Sequence, residues 1–282
     1  MPLVTSQKLL ENAQKEKYAV GAFNVENMEM VLAAIEAAQE LGAPIILQTT
    51  PSTVKYANLK QFYSSVKTAA EDATVPVALH LDHGSSFELA MQALREGYTS
   101  LMIDGSHLDF EGNIELTKRV VDAAMPNNIP VEGELGKVGG KEDDLVVKDA
   151  AYTDPKQAKE FVDRTGITSF AVAIGTAHGF YKGIPQLDID RLIEIRKLVD
   201  IPLVLHGASG LLDRDVIKCI EEGICKINFA TELRVAFSNG VKSVLRSEPE
   251  VYDPKVYLKA AKENVKQLVK NRMTVCGCQG KY

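Results

Sequence analysis

Three of the five histidines in this 282-residue chain are followed by glycine, and each stands at the end of a short apolar run. The runs are V-P-V-A-L-H-L-D-H-G at 75–84, F-A-V-A-I-G-T-A-H-G at 170–179 and I-P-L-V-L-H-G at 201–207. If they are parallel strands, His83, His178 and His206 converge at one end of a single sheet. Three neutral imidazoles gathered at one point make a catalytic zinc site with a position open for substrate. Asp82, next to the first of them, is placed to act as an acid/base at that metal.

Other polar residues group in the same way. H-G-F-Y-K-G at 178–183, H-G-A-S-G at 206–210 and N-F-A-T-E at 228–232 follow three successive runs. Their glycines let backbone N–H groups approach an anion. Thr231 would stand at a helix start, where unpaired amides and the helix dipole favour negative charge. The acid/base candidates are Asp82, Asp104, Glu132, Glu134, Glu142, Asp143 and Asp144. The last three are either a solvated acidic turn or a carboxylate delivered by a mobile loop with Gly139 and Gly140 as its hinge. His80 lies within its run and reads as a packed partner of the site rather than a ligand, and His107 as a loop histidine.

The elements that must position these groups are legible as alternation. Apolar runs at 19–24, 44–49, 75–81, 100–103, 130–135, 169–174, 202–206 and 225–229 predict strands. Amphipathic stretches at 28–41, 59–72, 87–96, 110–124, 155–164, 188–199, 213–222 and 232–246 predict helices. Eight β/α units with unalternating strands predict an α/β fold, a single (β/α)8 TIM barrel over 1–282. A further C-terminal helix is expected over about 254–273 and one long irregular segment over 136–153, the latter read as a lid. In that register His83, Asp104, Glu134, His178, His206 and Asn228 fall at the C-terminal ends of successive strands, where barrel enzymes keep their chemistry.

The formal net charge of −6 and the lack of basic clusters argue against nucleic acid or anionic lipid as partner. No segment is long and apolar enough to span a bilayer, and the N-terminus has no apolar signal core, so the expected location is cytoplasmic. Four cysteines, without C-x-x-C spacing, are expected to be reduced thiols.

Read in order, the motifs resemble those of the class II, zinc-dependent ketose-bisphosphate aldolases. They are H-L-D-H-G at 80–84, M-I-D-G-S-H at 102–107, V-E-G-E-L-G-K-V-G-G-K-E-D-D at 131–144, G-T-A-H-G at 175–179, L-V-L-H-G-A-S-G at 203–210 and K-I-N-F-A-T-E at 226–232. G-T-A-H-G, H-G-A-S-G, N-x-A-T-E-L and the ending V-C-G-C-Q-G resemble the D-tagatose-1,6-bisphosphate branch more than the fructose branch. The resemblance implies reversible cleavage of D-tagatose 1,6-bisphosphate to dihydroxyacetone phosphate and D-glyceraldehyde 3-phosphate. It implies Zn2+ on His83, His178 and His206, with Asp82 exchanging the proton on the C4 oxygen and Glu142 shuttling the proton at carbon. The dihydroxyacetone phosphate half would lie on Gly179, Gly207, Ala208, Ser209, Asn228, Phe229, Ala230 and Thr231. Asp104 and Glu134 match a second or alternate metal position, and Thr50 and Lys255 the distal phosphate. Loop carbonyls would hold Na+ or K+. The assembly implied is a homodimer or homotetramer, with or without a companion subunit.

The chain departs from the pattern at Phe229, where valine is usual, and at Lys255, where arginine is frequent; a lysine grips phosphate as a point charge rather than a fork. The alternatives are a fructose-1,6-bisphosphate aldolase, a non-catalytic companion subunit, which would be expected to have lost metal ligands, and a zinc hydrolase, which leaves the three phosphate loops unexplained.

Overall fold

Continuous apolar strands suit a sheet that is covered on both faces, and in the computed structural model of the protein they close into a barrel. The structure describes residues 3–142, 145–147, 151–181, 183 and 185–282, with backbone only at 141, 142 and 145–147. Along the chain run α1 (Ser6–Glu16), β1 (Val20–Asn24), α2 (Met28–Leu41), β2 (Ile45–Thr49), α3 (Pro51–Ala57), α4 (Leu59–Glu71), β3 (Val77–Gly84), α5 (Phe87–Glu96) and β4 (Ser100–Ile103). Then follow α6 (Phe110–Ala124), β5 (Val131–Leu135), β6 (Gly139–Glu142), β7 (Leu145–Val147), α7 (Pro155–Thr165), β8 (Ser169–Val172) and β9 (Ala177–His178). The chain ends with α8 (Ile189–Leu198), β10 (Leu203–Leu205), α9 (Asp213–Glu221), β11 (Ile224–Phe229), α10 (Thr231–Ser247) and α11 (Pro254–Val275).

Eight strands pair in the order β1-β11-β10-β8-β5-β4-β3-β2 and close on themselves, all parallel. With its alternating helices this is a (β/α)8 TIM barrel carrying an extra C-terminal helix. Side-chain caps start the helices that carry the chain back: Asn27, Ser86, Asp109 and Asp188 each accept from the backbone N–H three residues on. α1 closes the N-terminal end of the barrel against β1, β3 and β11 and buries Leu9, Leu10 and Ala13. α11 lies along α2 and α10. Lysines at 262, 266 and 270 pair there with Glu36 and Glu40, and the tail beyond it docks where Ala19 N–H donates to the Cys276 carbonyl at 2.9 Å. All four cysteines are free and buried. Among the described residues no helix is long and apolar enough to cross a membrane.

Three details differ from the sequence expectation. β3 runs three residues past 81 through Asp82 and His83, because its pairing with β4 shifts register between Leu81 and Gly84 and so continues beyond the apolar run. The segment expected to be irregular over 136–153 contains the antiparallel hairpin of β6 and β7, and β6 also pairs in parallel with β9. α3, seven residues or about two turns after β2, is too short to show a helical period.

Candidate active site at the C-terminal mouth of the barrel

Side chains alternate in and out along a barrel strand, and three strands carry a polar residue at two successive inward positions: His80 and Asp82 on β3, Glu132 and Glu134 on β5, Lys226 and Asn228 on β11. All six are buried. They form a lower layer of His80, Glu132 and Lys226 and an upper layer of Asp82, Glu134 and Asn228. His206, just past β10, reaches the same volume and is also fully buried.

His83 breaks the alternation. In a regular strand its side chain would point away from the face that Asp82 occupies. Here the register shift and a left-handed backbone (φ 46°) turn it back over the barrel mouth, the effect expected of a bulge beside a site. Its N–H donates to Met102 Sδ at 3.4 Å. His178 arrives from β9, and the three rings stand with centroids 4.7 Å (His83–His206), 5.2 Å (His83–His178) and 6.1 Å (His178–His206) apart. One nitrogen from each lies within 4.8 Å of the other two, and His83, Asp104 and Glu134 form a second group by the same measure.

The outer ring nitrogens are held by carboxylates. His83 Nδ1 meets Asp104 Oδ2 at 2.8 Å, and His206 Nε2 meets Glu132 Oε1 at 2.9 Å. Burial opposes the charge on Asp104, but the hydrogen bonds from His83 and Ser106 outweigh it and hold the group well below the usual carboxylate range. Burial likewise opposes the charge on Glu132, and Lys226 together with His206 overcomes it. An ionised carboxylate only accepts, so the outer nitrogens carry the hydrogens. Burial pushes His206 below its ordinary value, and in its neutral form, with the Nε2 hydrogen on Glu132, the lone pair lies on Nδ1. That lone pair faces His83 Nε2 at 2.9 Å. Only a proton or a cation reconciles two imidazole nitrogens so placed, and the third imidazole makes the donor set one that fits a zinc ion. Glu134 Oε2 stands 3.6 Å from the same Nδ1.

Asp82 is fully buried beside this cluster. Its Oδ2 accepts from Asn24 Nδ2 at 2.8 Å and Gln48 Nε2 at 3.2 Å, and its Oδ1 from Asn228 Nδ2 at 3.1 Å. Asn24 closes β1 and is the register partner of Gln48, one residue before the end of β2, and Gln48 also donates to Asn24 Oδ1 at 2.8 Å. A carboxylate offers about four acceptor positions, so three amide donors fix its plane and leave room for one more.

The phosphate loops meet in one cleft lined by Asn24, His178, Gly179, Gly207, Ser209, Asn228, Ala230, Thr231 and Arg234. α10 points its N-terminus into it, the polarity that favours an anion. Ser209 Oγ accepts from the Ala230 and Glu232 N–H groups at 3.3 and 3.4 Å. Gly207 is needed for its backbone: φ is 67°, and a Cβ there would come within 2.7 Å of the Ala177 carbonyl. Ala208 and Phe229 are packed in the core rather than lining the cleft; the Phe229 ring stacks on Phe23 at 5.6 Å, so its bulk does not crowd the loop. Thr50 is buried and joined to Thr53 at 3.1 Å, Thr53 donates to Glu26 at 2.8 Å, and Glu26 accepts from Arg234 at 2.7 Å. Lys255 is apart from this group, 86 % exposed and paired with Asp253 at 2.9 Å. Glu142 ends β6, its side chain lies outside the described residues, and so do Asp143 and Asp144. His80 is buried on Ser100 at 2.7 Å and His107 is an exposed turn residue.

The sequence reading passed over Asn24, Gln48, Lys226 and Arg234. Asn24 closes its strand and Gln48 stands one residue from the end of its own, the rule that found the histidines, and the spacing K-I-N at 226–228 repeats that of H-L-D and E-G-E.

The mouth of this TIM barrel thus gathers three imidazoles that could hold a metal ion, a buried carboxylate and a helix N-terminus, at the end of the barrel where enzymes of this fold keep their active sites. The family model for fructose-bisphosphate aldolase class-II matches residues 4–281. The chain is similar to the YdjI aldolase of Escherichia coli K12, with 38 % identity, 99 % of each chain covered and a TM-score of 0.88. It is similar to a protein of Coccidioides immitis assigned as a fructose-1,6-bisphosphate aldolase, with 31 % identity, 97 % of this chain and 96 % of that chain covered and a TM-score of 0.88. The fold is shared with a fructose-bisphosphate aldolase of Campylobacter jejuni at 23 % identity, covering 100 % of this chain and 97 % of that one, with a TM-score of 0.84. The chain belongs to the class-II fructose-bisphosphate aldolase family and is an aldolase, a carbon–carbon lyase.

Proposed function

We propose that the protein catalyses the reversible, zinc-dependent cleavage of D-tagatose 1,6-bisphosphate to dihydroxyacetone phosphate and D-glyceraldehyde 3-phosphate. The observation that carries the reading is the facing of His83 Nε2 and His206 Nδ1 at 2.9 Å with His178 beside them, next to buried Asp82. A zinc ion on these three side chains would supply Lewis-acid polarisation of the substrate ketone.

The rest of the chemistry falls to the chain. Ser209, Asn228, Thr231 and the backbone of 179, 207 and 230 hold the phosphate of the dihydroxyacetone half against the α10 N-terminus, with Ala208 and Phe229 packed behind them. Asp82, its plane fixed by Asn24, Gln48 and Asn228, takes the proton of the C4 hydroxyl as the C3–C4 bond breaks and C4 becomes the aldehyde. Glu142 returns a proton to C3. Thr50 takes the distal phosphate, and Lys255 joins it only by leaving Asp253. Asp104 and Glu134 offer the alternate metal position beside His83. A cytoplasmic setting accords with four free thiols.

Preference for the tagatose epimer rests on G-T-A-H-G, H-G-A-S-G and N-x-A-T-E-L. The 31 % identity to the Coccidioides immitis protein favours a second reading, cleavage of fructose 1,6-bisphosphate. The test is the cleavage rate of each epimer by the zinc-loaded protein. Faster cleavage of the tagatose compound is expected, a preference for fructose transfers the assignment to the second reading, and cleavage of neither removes both.

A further inference from the structure

Beneath the three imidazoles lies a cation that the cleavage chemistry does not use. Lys226 is 1 % exposed, is absent from the cleft lining, and donates from Nζ to Glu132 Oε2 at 2.8 Å, with His80 Nε2 at 3.4 Å. The other oxygen of Glu132 holds His206 Nε2. From below, His80 Nδ1 rests on Ser100 Oγ at 2.7 Å, and Ser100 on Ser6 Oγ of α1 at 2.7 Å. One hydrogen-bonded row therefore runs from the closed end of the barrel to a residue of the three-histidine cluster.

Stability does not account for the lysine, because a buried ion pair replaced by neutral groups of similar size is often as stable or more so. A nucleophilic role does not account for it either, since it is absent from the cleft lining and its Nζ is held by Glu132. Glu132 Oε2 has an alternative partner in His80 Nε2 at 3.8 Å. Without Lys226 the carboxylate is free to turn toward His80 and release His206.

Resting on the reading of His83, His178 and His206 as a metal site, we propose that Lys226 is a positioning residue for it. By fixing the Glu132 carboxylate it keeps Oε1 on the Nε2–H of His206 and so aims the Nδ1 lone pair at the position shared with His83 and His178. Residues that orient a ligand through its far nitrogen typically contribute about 10–100-fold to metal affinity.

The test is titration of the metal-free full-length protein with Co2+, read by its visible absorption and by chelator competition. Lys226→Met and the double variant Lys226→Met/Glu132→Gln are compared with the unsubstituted protein. The double variant leaves no buried charge unpaired and is the one expected to keep the fold. Its amide, which no cation fixes, offers His206 either its oxygen or its NH2. Both variants should bind Co2+ at least tenfold more weakly with an altered visible band, while the thermal midpoint of the double variant stays within a few degrees of the parent. A folded variant with parental affinity and spectrum would overturn the proposal, and so would a double variant that does not fold, since the pair would then serve the core. Cobalt binding by the unsubstituted protein that survives His206→Ala would instead overturn the metal-site reading, and this inference with it.

Discussion

Gly140 pairs in parallel register with His178, so β6, the hairpin strand that ends in Glu142, is hydrogen-bonded to the two-residue strand that delivers the third imidazole. The approach is close: φ at Gly140 is 97°, and a Cβ there would lie 2.2 Å from the His178 carbonyl oxygen. The backbone that presents Glu142 and the backbone that presents His178 thus form one ladder, and displacement of the hairpin displaces the histidine.

Gly140→Ala should act on that ladder. The side chain meets backbone rather than a yielding side chain, and the left-handed conformation disfavours it as well. Metal affinity should fall by about tenfold or more, the order seen when a ligand loses its supporting contacts. Gly183→Ala, placed where nothing lies within 4 Å, should leave affinity unchanged. Equal behaviour of the two variants in a chelator competition would show that the ladder does not hold His178.

Asp82 carries a separate prediction. Asp82→Ala should keep its zinc and its affinity for dihydroxyacetone phosphate while losing roughly 10²–10⁴ in cleavage rate, the contribution of a positioned acid/base. Gln48→Leu, which removes one of the three amide donors, should give a smaller loss of the same kind. Calorimetric binding of dihydroxyacetone phosphate beside a cleavage assay separates the two effects. A proportional fall in binding and rate would make Asp82 a folding residue.

Much of this arrangement is written in local pattern. The eight barrel strands and their helices follow from apolar runs and capping residues, and the rule that barrel chemistry sits at strand ends picks out His83, His178, His206, Asp82 and Asn228. What pattern did not disclose depends on backbone events between distant segments. The turn of His83 over the barrel mouth comes from a register shift against β4 and a left-handed φ, neither of which has a side-chain signature. The β6–β7 hairpin is stabilised by pairing with β9, more than thirty residues away, so its glycines read as a loop. Lys226 was hidden for another reason. A lysine in an apolar strand looks like an edge or a solvated position until Glu132 and His80 are brought beside it from two other strands.

Glu142→Ala tests the hairpin's chemical role. If this carboxylate moves the proton at C3, the variant should slow exchange of the dihydroxyacetone phosphate proton with solvent by about 10²-fold or more, with its affinity for that compound nearly unchanged. Deuterium incorporation followed by NMR gives both quantities. Unaltered exchange would return E-D-D at 142–144 to a solvated acidic turn.

The most direct test of the account is release of dihydroxyacetone phosphate from D-tagatose 1,6-bisphosphate by protein stripped with a chelator and then titrated with zinc, run in parallel on His206→Ala. Stripped protein should be inactive, activity should return in proportion to zinc up to one ion per chain, and His206→Ala should neither retain the ion nor recover. Cleavage by stripped protein, or by His206→Ala, at the rate of the zinc-loaded parent would contradict it.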